Sequence, residues 1–341
     1  MLVMKKISCL LRKMVMCGLV VLSCNCIVYS ANLQIADSVN IQTVFYSVRN
    51  QNKINYQKPS GSFYRTDSIF SFRSAKGYFP SLLHNFTEQA TAPFKFKTKE
   101  WLITGAAAGI TAGLIIVDED VDRWARVQKQ NHNWINKSSP FITKFGDTYG
   151  FYSVAAGALL SSAFKNEKGV KTCLLASQSM ITSGLWVHLI KLLTCRERPK
   201  AAYIISKSEG GKWYGPFAIY DQDSAIKKPY SAFDAFPSGH TAVAFSIATV
   251  FASQYNDKKV IPVLCYSAAT MVGISRMTEH EHWVSDVFVG GLIGYLCGRQ
   301  VVAHDNKIRR NQDTKLSTKS KNKSELNLIQ HGNQIELSLK W

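Results

Sequence analysis

Three short stretches of the chain carry residue types suited to handling a phosphoryl group. The first is Lys191, followed after six residues by Arg198-Pro199. A spacing of seven is two helical turns, so both cations are expected on nearly one face at the end of a helix that Pro199 helps to close. The second, Pro237-Ser238-Gly239-His240, reads as a helix start. Ser238 is suited to the N-cap, Gly239 to close backbone approach, and the free N–H groups to an anion beside which His240 could move a proton. The third comprises Ser275-Arg276, His282 and Asp286. At i, i+4, His282 and Asp286 are expected to share a helix face, where the carboxylate accepts the Nδ1–H bond and leaves Nε2 as nucleophile or base. Arg276 adds a cation in the turn before that helix.

Each stretch alone has an ordinary alternative: chance cations on a helix, a cap followed by a surface histidine, a structural His–Asp pair. Together they supply three cations, a helix-start anion cradle and two histidines, and attack on phosphorus needs that set. Equatorial oxygens need charge neutralisation, the attack needs a nucleophile and the leaving oxygen needs an acid. At this point the chain resembles a known family. Lys191…Arg198-Pro199, Pro237-Ser238-Gly239-His240 and Ser275-Arg276…His282…Asp286 are similar to the three signatures of the type 2 phosphatidic acid phosphatase superfamily, which also groups bacterial class A acid phosphatases and vanadium haloperoxidases. The resemblance implies that His282 forms a phosphohistidine, that Asp286 orients it, and that His240 protonates the leaving alcohol. It implies that Lys191, Arg198, Arg276, Ser238 and Gly239 hold the phosphate oxygens. The scheme calls for no metal and no cofactor, and the acidic run Asp118-Glu119-Asp120 reads as a solvated helix end.

Something must position these residues. Six apolar segments, at about 101–117, 149–165, 172–193, 240–255, 260–275 and 284–302, are rich in Ala, Gly, Leu, Ile and Val and mostly too long for strands. No period-2 alternation interrupts them, so the fold class is all-α, a six-helix bundle core. Their lengths are borderline for crossing a bilayer. The expected organisation is a signal peptide over 1–31, a polar extension over 32–98, the phosphatase-like domain over 99–302 and a basic tail over 303–341.

Lys5, Lys6, Arg12 and Lys13 precede an apolar stretch from Met14 to Val28, as in an export signal. Cleavage after Ser30 or Ala31 is one reading; a lipoprotein box ending before Cys24 is another. Cys173, Cys195, Cys265 and Cys297 show neither zinc nor disulfide spacing and read as free thiols in helices. The 41 Lys and Arg outnumber the 23 Asp and Glu, and a formal charge of +18 favours anionic partners. With 46% hydrophobic and 19% charged residues, global disorder and a disulfide-stapled miniprotein are excluded. A mean hydropathy of −0.06 excludes a chain made mostly of membrane spans with short loops.

His280 reads as a loop histidine, His188 as a helix-face histidine, and the connection from Pro199 to Pro237 as a segment bordering the pocket. The expected location is the periplasm or the outer side of a bacterial-type cytoplasmic membrane, with membrane association. Six spans and a cleaved signal would instead place the site inside the cell, unless a helix fails to span, the bundle is soluble, or the N-terminal segment inserts unusually. The leading function is a metal-independent phosphomonoesterase acting on a lipid phosphate or diphosphate. Alternatives are a broad-specificity acid phosphatase, a vanadate-dependent haloperoxidase and a non-enzymatic anionic-lipid-binding envelope protein. No nucleic-acid or protein partner is expected, because no recognition motif accompanies the charge.

Overall fold

The computed structural model describes residues 75–208, 210–216, 218, 232–321, 325–331 and 334–340. The signal-like segment, Cys24 and the first part of the extension lie outside them. In chain order the helices are α1 (Ala75–Thr91), α2 (Thr98–Asn131), α3 (Asn133–Thr143), α4 (Thr148–Ala163), α5 (Glu167–Thr194), α6 (Gly239–Gln254), α7 (Val260–Thr278) and α8 (Val284–Lys321). The six apolar segments correspond to α2, α4, α5, α6, α7 and α8. All-α is the architecture of the bundle.

Hydrophobic packing centres on α5, α6 and α8. Trp186, Val187 and Ile190 meet Ala242, Val289, Ile293, Leu296 and Cys297 in one buried cluster, closed by Phe236. A second cluster joins Val154 of α4 and Cys173, Leu175 and Met180 of α5 to Val243 and Val250 of α6. Cys173, Cys195 and Cys297 are buried and form no disulfide. Small residues bring α6 and α8 together. Gly290, Gly294 and Gly298 recur every four residues on one face of α8. A Cβ at Gly290 would run into the Ser238 carbonyl and one at Gly294 into the Ala242 carbonyl; at Gly298 it would lie 2.7 Å from Thr249 Cβ. Because backbone, not a yielding side chain, stands in the way, Gly294→Ala is expected to cost about 1–3 kcal/mol, read as a lowered unfolding midpoint. An unchanged midpoint would mean the two helices are not packed this closely.

The outer helices turn apolar side chains outward. Leu102, Ile110 and Ile116 of α2, Tyr152, Leu159 and Leu160 of α4, and Val260, Val263 and Leu264 of α7 are exposed. Four helices are long and apolar enough to cross a membrane: Thr98–Asn131, Glu167–Thr194, Val260–Thr278 and, within α8, Val284–Lys315. An apolar surface this extensive is out of place in water and suits lipid.

Two parts of the chain differ from the sequence expectation. The extension contains α1, docked on the bundle through Phe86, which stacks on Trp186 at 5.2 Å, and through buried amides. Asn85 donates to Gln178 at 3.2 Å, Gln89 to Gln300 at 2.8 Å, and Trp186 Nε1–H to Gln89 at 2.8 Å. Residues 303–341 form a unit of their own. There the helix continues to Lys321, and an antiparallel hairpin follows, β1 (Glu325–His331) with β2 (Gln334–Lys340), in the register Glu325↔Lys340 to His331↔Gln334.

Candidate active site

The helices deliver their ends to one place. The C-terminal ends of α5 and α7 bring Lys191 and Arg276, the N-termini of α6 and α8 bring Ser238 to His240 and Asp286, and the turn before α4 reaches His240. The N-terminus of α6 therefore lies near three cations, an arrangement favourable to an anion.

Lys191 and Arg198 meet, but not by sharing a helix face. α5 stops at Thr194, and Cys195 takes a left-handed conformation (φ 42°) that turns the chain out of the helix. Residues 196–198 then run extended: Ala235 N–H donates to the Arg196 carbonyl at 3.0 Å and Arg198 N–H to the Ala232 carbonyl at 3.0 Å. Pro199 opens a short helical turn rather than closing α5. What joins the two cations is Asp234, 3.2 Å from Lys191 Nζ and 2.7 Å from Arg198 Nε. Glu281 takes the other side of Arg198 through Nη1 and lies 3.8 Å from Arg276 Nη2. Three cations against two carboxylates leave one net positive charge. The buried Nε of Arg276 has no hydrogen-bond partner, which is costly unless an anion supplies one.

Ser238 is the N-cap residue of α6, and its backbone N–H donates to the Asp286 carbonyl at 2.9 Å. Its Oγ accepts from the Thr241 hydroxyl at 2.9 Å, so its own proton can be donated elsewhere. The space beside Gly239 is not needed by the fold: a Cβ there would meet only Val187, at an ordinary 3.6 Å.

His282 is buried, and its partner differs from the one expected. Its Nδ1–H donates to the Ala235 carbonyl at 2.7 Å, whereas Asp286 Oδ2 lies 3.8 Å away. The physical reason is where α8 begins. It starts at Val284, so His282 precedes it and does not share a helix face with Asp286. Asp286 instead accepts the Trp283 N–H at 2.8 Å as an N-terminal cap and pairs with Arg196 Nη1 at 2.7 Å. A carbonyl can only accept, so Nδ1 carries the proton and Nε2 keeps its lone pair. Burial first, then the charges of Arg198, Arg276 and Lys191, hold His282 well below the usual imidazole range. Burial and the same three cations push His240 down to about 3. Asp234 lies below the usual carboxylate range because Lys191 and Arg198 outweigh the opposing effect of its burial. Both histidines are thus neutral bases while no anion is present.

Several neighbours were not visible in the sequence. Arg196 is completely buried, 2.6 Å from Asp118 and 2.7 Å from Asp286, and lies over the rings of Trp213 and Trp283 at 4.7 and 5.3 Å. Asp118 is therefore not solvated, and the run is not a helix end, since α2 continues to Asn131; the half-buried Glu119 and the exposed Asp120 pair with the exposed Arg123. The one sequence signal for Arg196 is its place two residues before Arg198. His280 is held by Asp122 at 3.0 Å, and His188 is exposed on α5 outside the cluster. The described parts of the 200–236 connection do border the site, through Gly210, Trp213, Asp234 and Ala235.

The family model for the PAP2 superfamily matches residues 172–310. Those residues belong to the PAP2 superfamily. The matched region holds every candidate site residue inferred from the sequence. Among curated proteins, the lipid A 1-phosphatase of Porphyromonas gingivalis is 42% identical over 69 residues, which is 20% of this chain and 16% of that one. Lipid phosphate phosphatase 1 of Arabidopsis thaliana is 30% identical over 141 residues, 36% of this chain and 42% of that one. The chain thus spans less than half the length of these relatives. A crystal structure of a transmembrane PAP2 type phosphatidylglycerolphosphate phosphatase from Bacillus subtilis aligns with 60% of this chain and 96% of its own, at 22% identity and a TM-score of 0.41.

Proposed function

We propose that this PAP2 protein is a membrane-associated phosphatase that removes phosphate from a lipid phosphate or lipid diphosphate, without a metal, through a phosphohistidine on His282. One observation carries the reading: the nucleophile nitrogen of His282 is left free by the Ala235 carbonyl and stands among Lys191, Arg198 and Arg276. In the first step His282 Nε2 forms a bond to phosphorus as the bond to the ester oxygen breaks, and His240, having taken the proton that the substrate monoanion brings, gives it to that oxygen. In the second step water attacks the phosphohistidine, His240 takes the proton, and inorganic phosphate leaves. Lys191, Arg198, Arg276, the Ser238 hydroxyl and the Gly239 N–H hold the equatorial oxygens. Asp286 acts on His282 through the loop it caps rather than by a direct hydrogen bond.

The lipid substrate class is supported by the outward apolar surfaces of α2, α4 and α7 around the site, and by relatives whose names specify lipid A 1-phosphatase and lipid phosphate phosphatase. An external location rests on the signal-like start of the sequence. It requires residue 98 to lie on the inner side of the membrane, because the later part of α2, from Asp118 to Lys129, is the part that meets the loop carrying His282.

The test is phosphate release in detergent with excess EDTA, from phosphatidic acid, an isoprenyl diphosphate and a lipid A phosphate beside a small aryl phosphate. EDTA-resistant release with the lipids turned over at least about tenfold better in kcat/KM is expected, roughly the discrimination that one well-filled apolar contact supplies. Equal or better use of the aryl ester would point to a general acid phosphatase. No release from any substrate would overturn the enzymatic reading.

A further inference from the structure

We propose that α2, which lies ahead of the family-matched residues, belongs to the catalytic unit: its polar face positions the loop that carries His282, with Asp118 as the principal positioning residue. The inference deepens the phosphatase reading and rests on it for its kinetic consequence.

Asp118, Asp122 and Lys129 lie four and eleven residues along one helix, a spacing that keeps them on one face. That face meets the loop between α7 and α8 at both ends. Asp118 Oδ1 accepts the Ser285 N–H at 2.9 Å, and Oδ2 accepts the Ser285 hydroxyl at 2.6 Å and Arg196 Nη2 at 2.6 Å. Ser285 is the second residue of α8, so Asp118 caps that helix from a different one. Arg196 carries the connection on to Asp286, whose second oxygen holds the Trp283 N–H. On the other side of His282, Asp122 accepts from His280 Nδ1 at 3.0 Å, and Lys129 pairs with Glu279 at 3.0 Å. His280 sits at φ 57°, a left-handed conformation that a non-glycine residue seldom adopts without support.

Residues 279, 280 and 285 are therefore held from α2, and they bracket His282. No group of α2 is among the partners of His282 itself, which makes this positioning rather than participation. The network is fully internal: Asp118, Arg196, Ser285 and Asp286 have no exposed surface. Each carboxylate oxygen has a donor, so the loop has one well-satisfied arrangement and a penalty for leaving it.

The experiment is Asp118→Asn in the full chain, which keeps the shape and one acceptor but removes the charge. Turnover is measured with the best substrate, together with inhibition by inorganic phosphate and amide hydrogen exchange over 279–286. Since displacement of a nucleophile by about 1 Å can cost about 100-fold, kcat per folded molecule is expected to fall by about 10- to 100-fold. KM and the phosphate inhibition constant are expected to stay within about threefold, because Lys191, Arg198 and Arg276 make no contact with Asp118 and ground-state binding is separable from the chemical step. Exchange over 279–286 should quicken while α5 and α6 stay protected. Ser285→Ala and Asp122→Asn should show the same pattern more weakly, and they decide the matter if Asp118→Asn does not fold.

An unchanged kcat per folded molecule would overturn the proposal. So would parallel losses in kcat and phosphate affinity with faster exchange throughout, which is what a merely structural role predicts. If the unmutated protein releases no phosphate, the phosphatase reading fails by itself, and the exchange comparison still decides whether α2 holds the loop.

Discussion

The His282→Ala protein is expected to release phosphate at least about 10,000-fold more slowly than the unmutated chain while still binding inorganic phosphate. The size follows from what His282 is placed to do. Its Nδ1–H is fixed on the Ala235 carbonyl, its Nε2 lone pair is free, and burial with three nearby cations keeps it unprotonated. The cations that would hold phosphate come from other elements, Lys191 from α5, Arg198 from the extended segment and Arg276 from α7. Binding and bond formation are therefore carried by different groups, and alanine should separate them. Brief exposure of the unmutated protein to a radiolabelled lipid phosphate, followed by quenching in alkali, should trap label that is lost in acid, as a phosphorus–nitrogen bond requires. The alanine protein should trap none. Residual turnover within about tenfold of the original would remove His282 from the reaction, because loss of a covalent nucleophile is never so mild. Loss of phosphate binding together with a lowered unfolding midpoint would instead indicate a collapsed site, since His282 is buried and its removal leaves a cavity.

His240→Gln is expected to slow alkyl phosphates by about 100- to 10,000-fold, the range for loss of a general acid, and to slow an aryl phosphate far less. A phenolate leaves without help; an alkoxide does not. The pH dependence follows from the same residue. With His240 at about 3 in the empty site, almost none of it is protonated at neutral pH. The proton for the leaving oxygen must then arrive with the substrate monoanion and pass to His240 once the phosphate charge offsets Arg276, Lys191 and Arg198. The second ionisation of a phosphate monoester lies near about 6, so kcat/KM should be level below that value and fall about tenfold per pH unit above it. No acid limb from His282 is expected at mildly acidic pH, because its own pKa is held well below the ordinary imidazole value and the neutral form persists there. A kcat/KM that rises between pH 5 and 7 would show a histidine titrating normally and would sink this account of the proton.

Much of this was legible without coordinates. Lys191, Arg198, Ser238, Gly239, His240, Arg276, His282 and Asp286 were all named from residue type and spacing, and the structure brings every one of them to the same end of the bundle. The six apolar segments became six helices, four with nearly the expected bounds and α2 and α8 running on to Asn131 and Lys321, since a long apolar run without alternation has few other ways to satisfy its backbone. The hairpin at the end of the chain was missed although Leu326, Leu328, Ile335, Leu337 and Leu339 alternate with other residues, a period-2 signal overshadowed by the basic residues before it.

What the sequence by itself determined was the list of reacting groups and the helical class, because both depend on residue identity and short-range periodicity. How those groups are held was decided only by the tertiary structure. Asp234 linking Lys191 to Arg198, the Ala235 carbonyl choosing the His282 tautomer, Asp118 reaching Arg196 across 78 positions, and Asn85 and Gln89 docking α1 are all contacts between polar side chains or backbone far apart in the chain. Such pairs leave no periodic trace, and a buried carboxylate in one sequence looks the same as a solvated one. Its burial becomes tolerable only through a partner that folding brings to it.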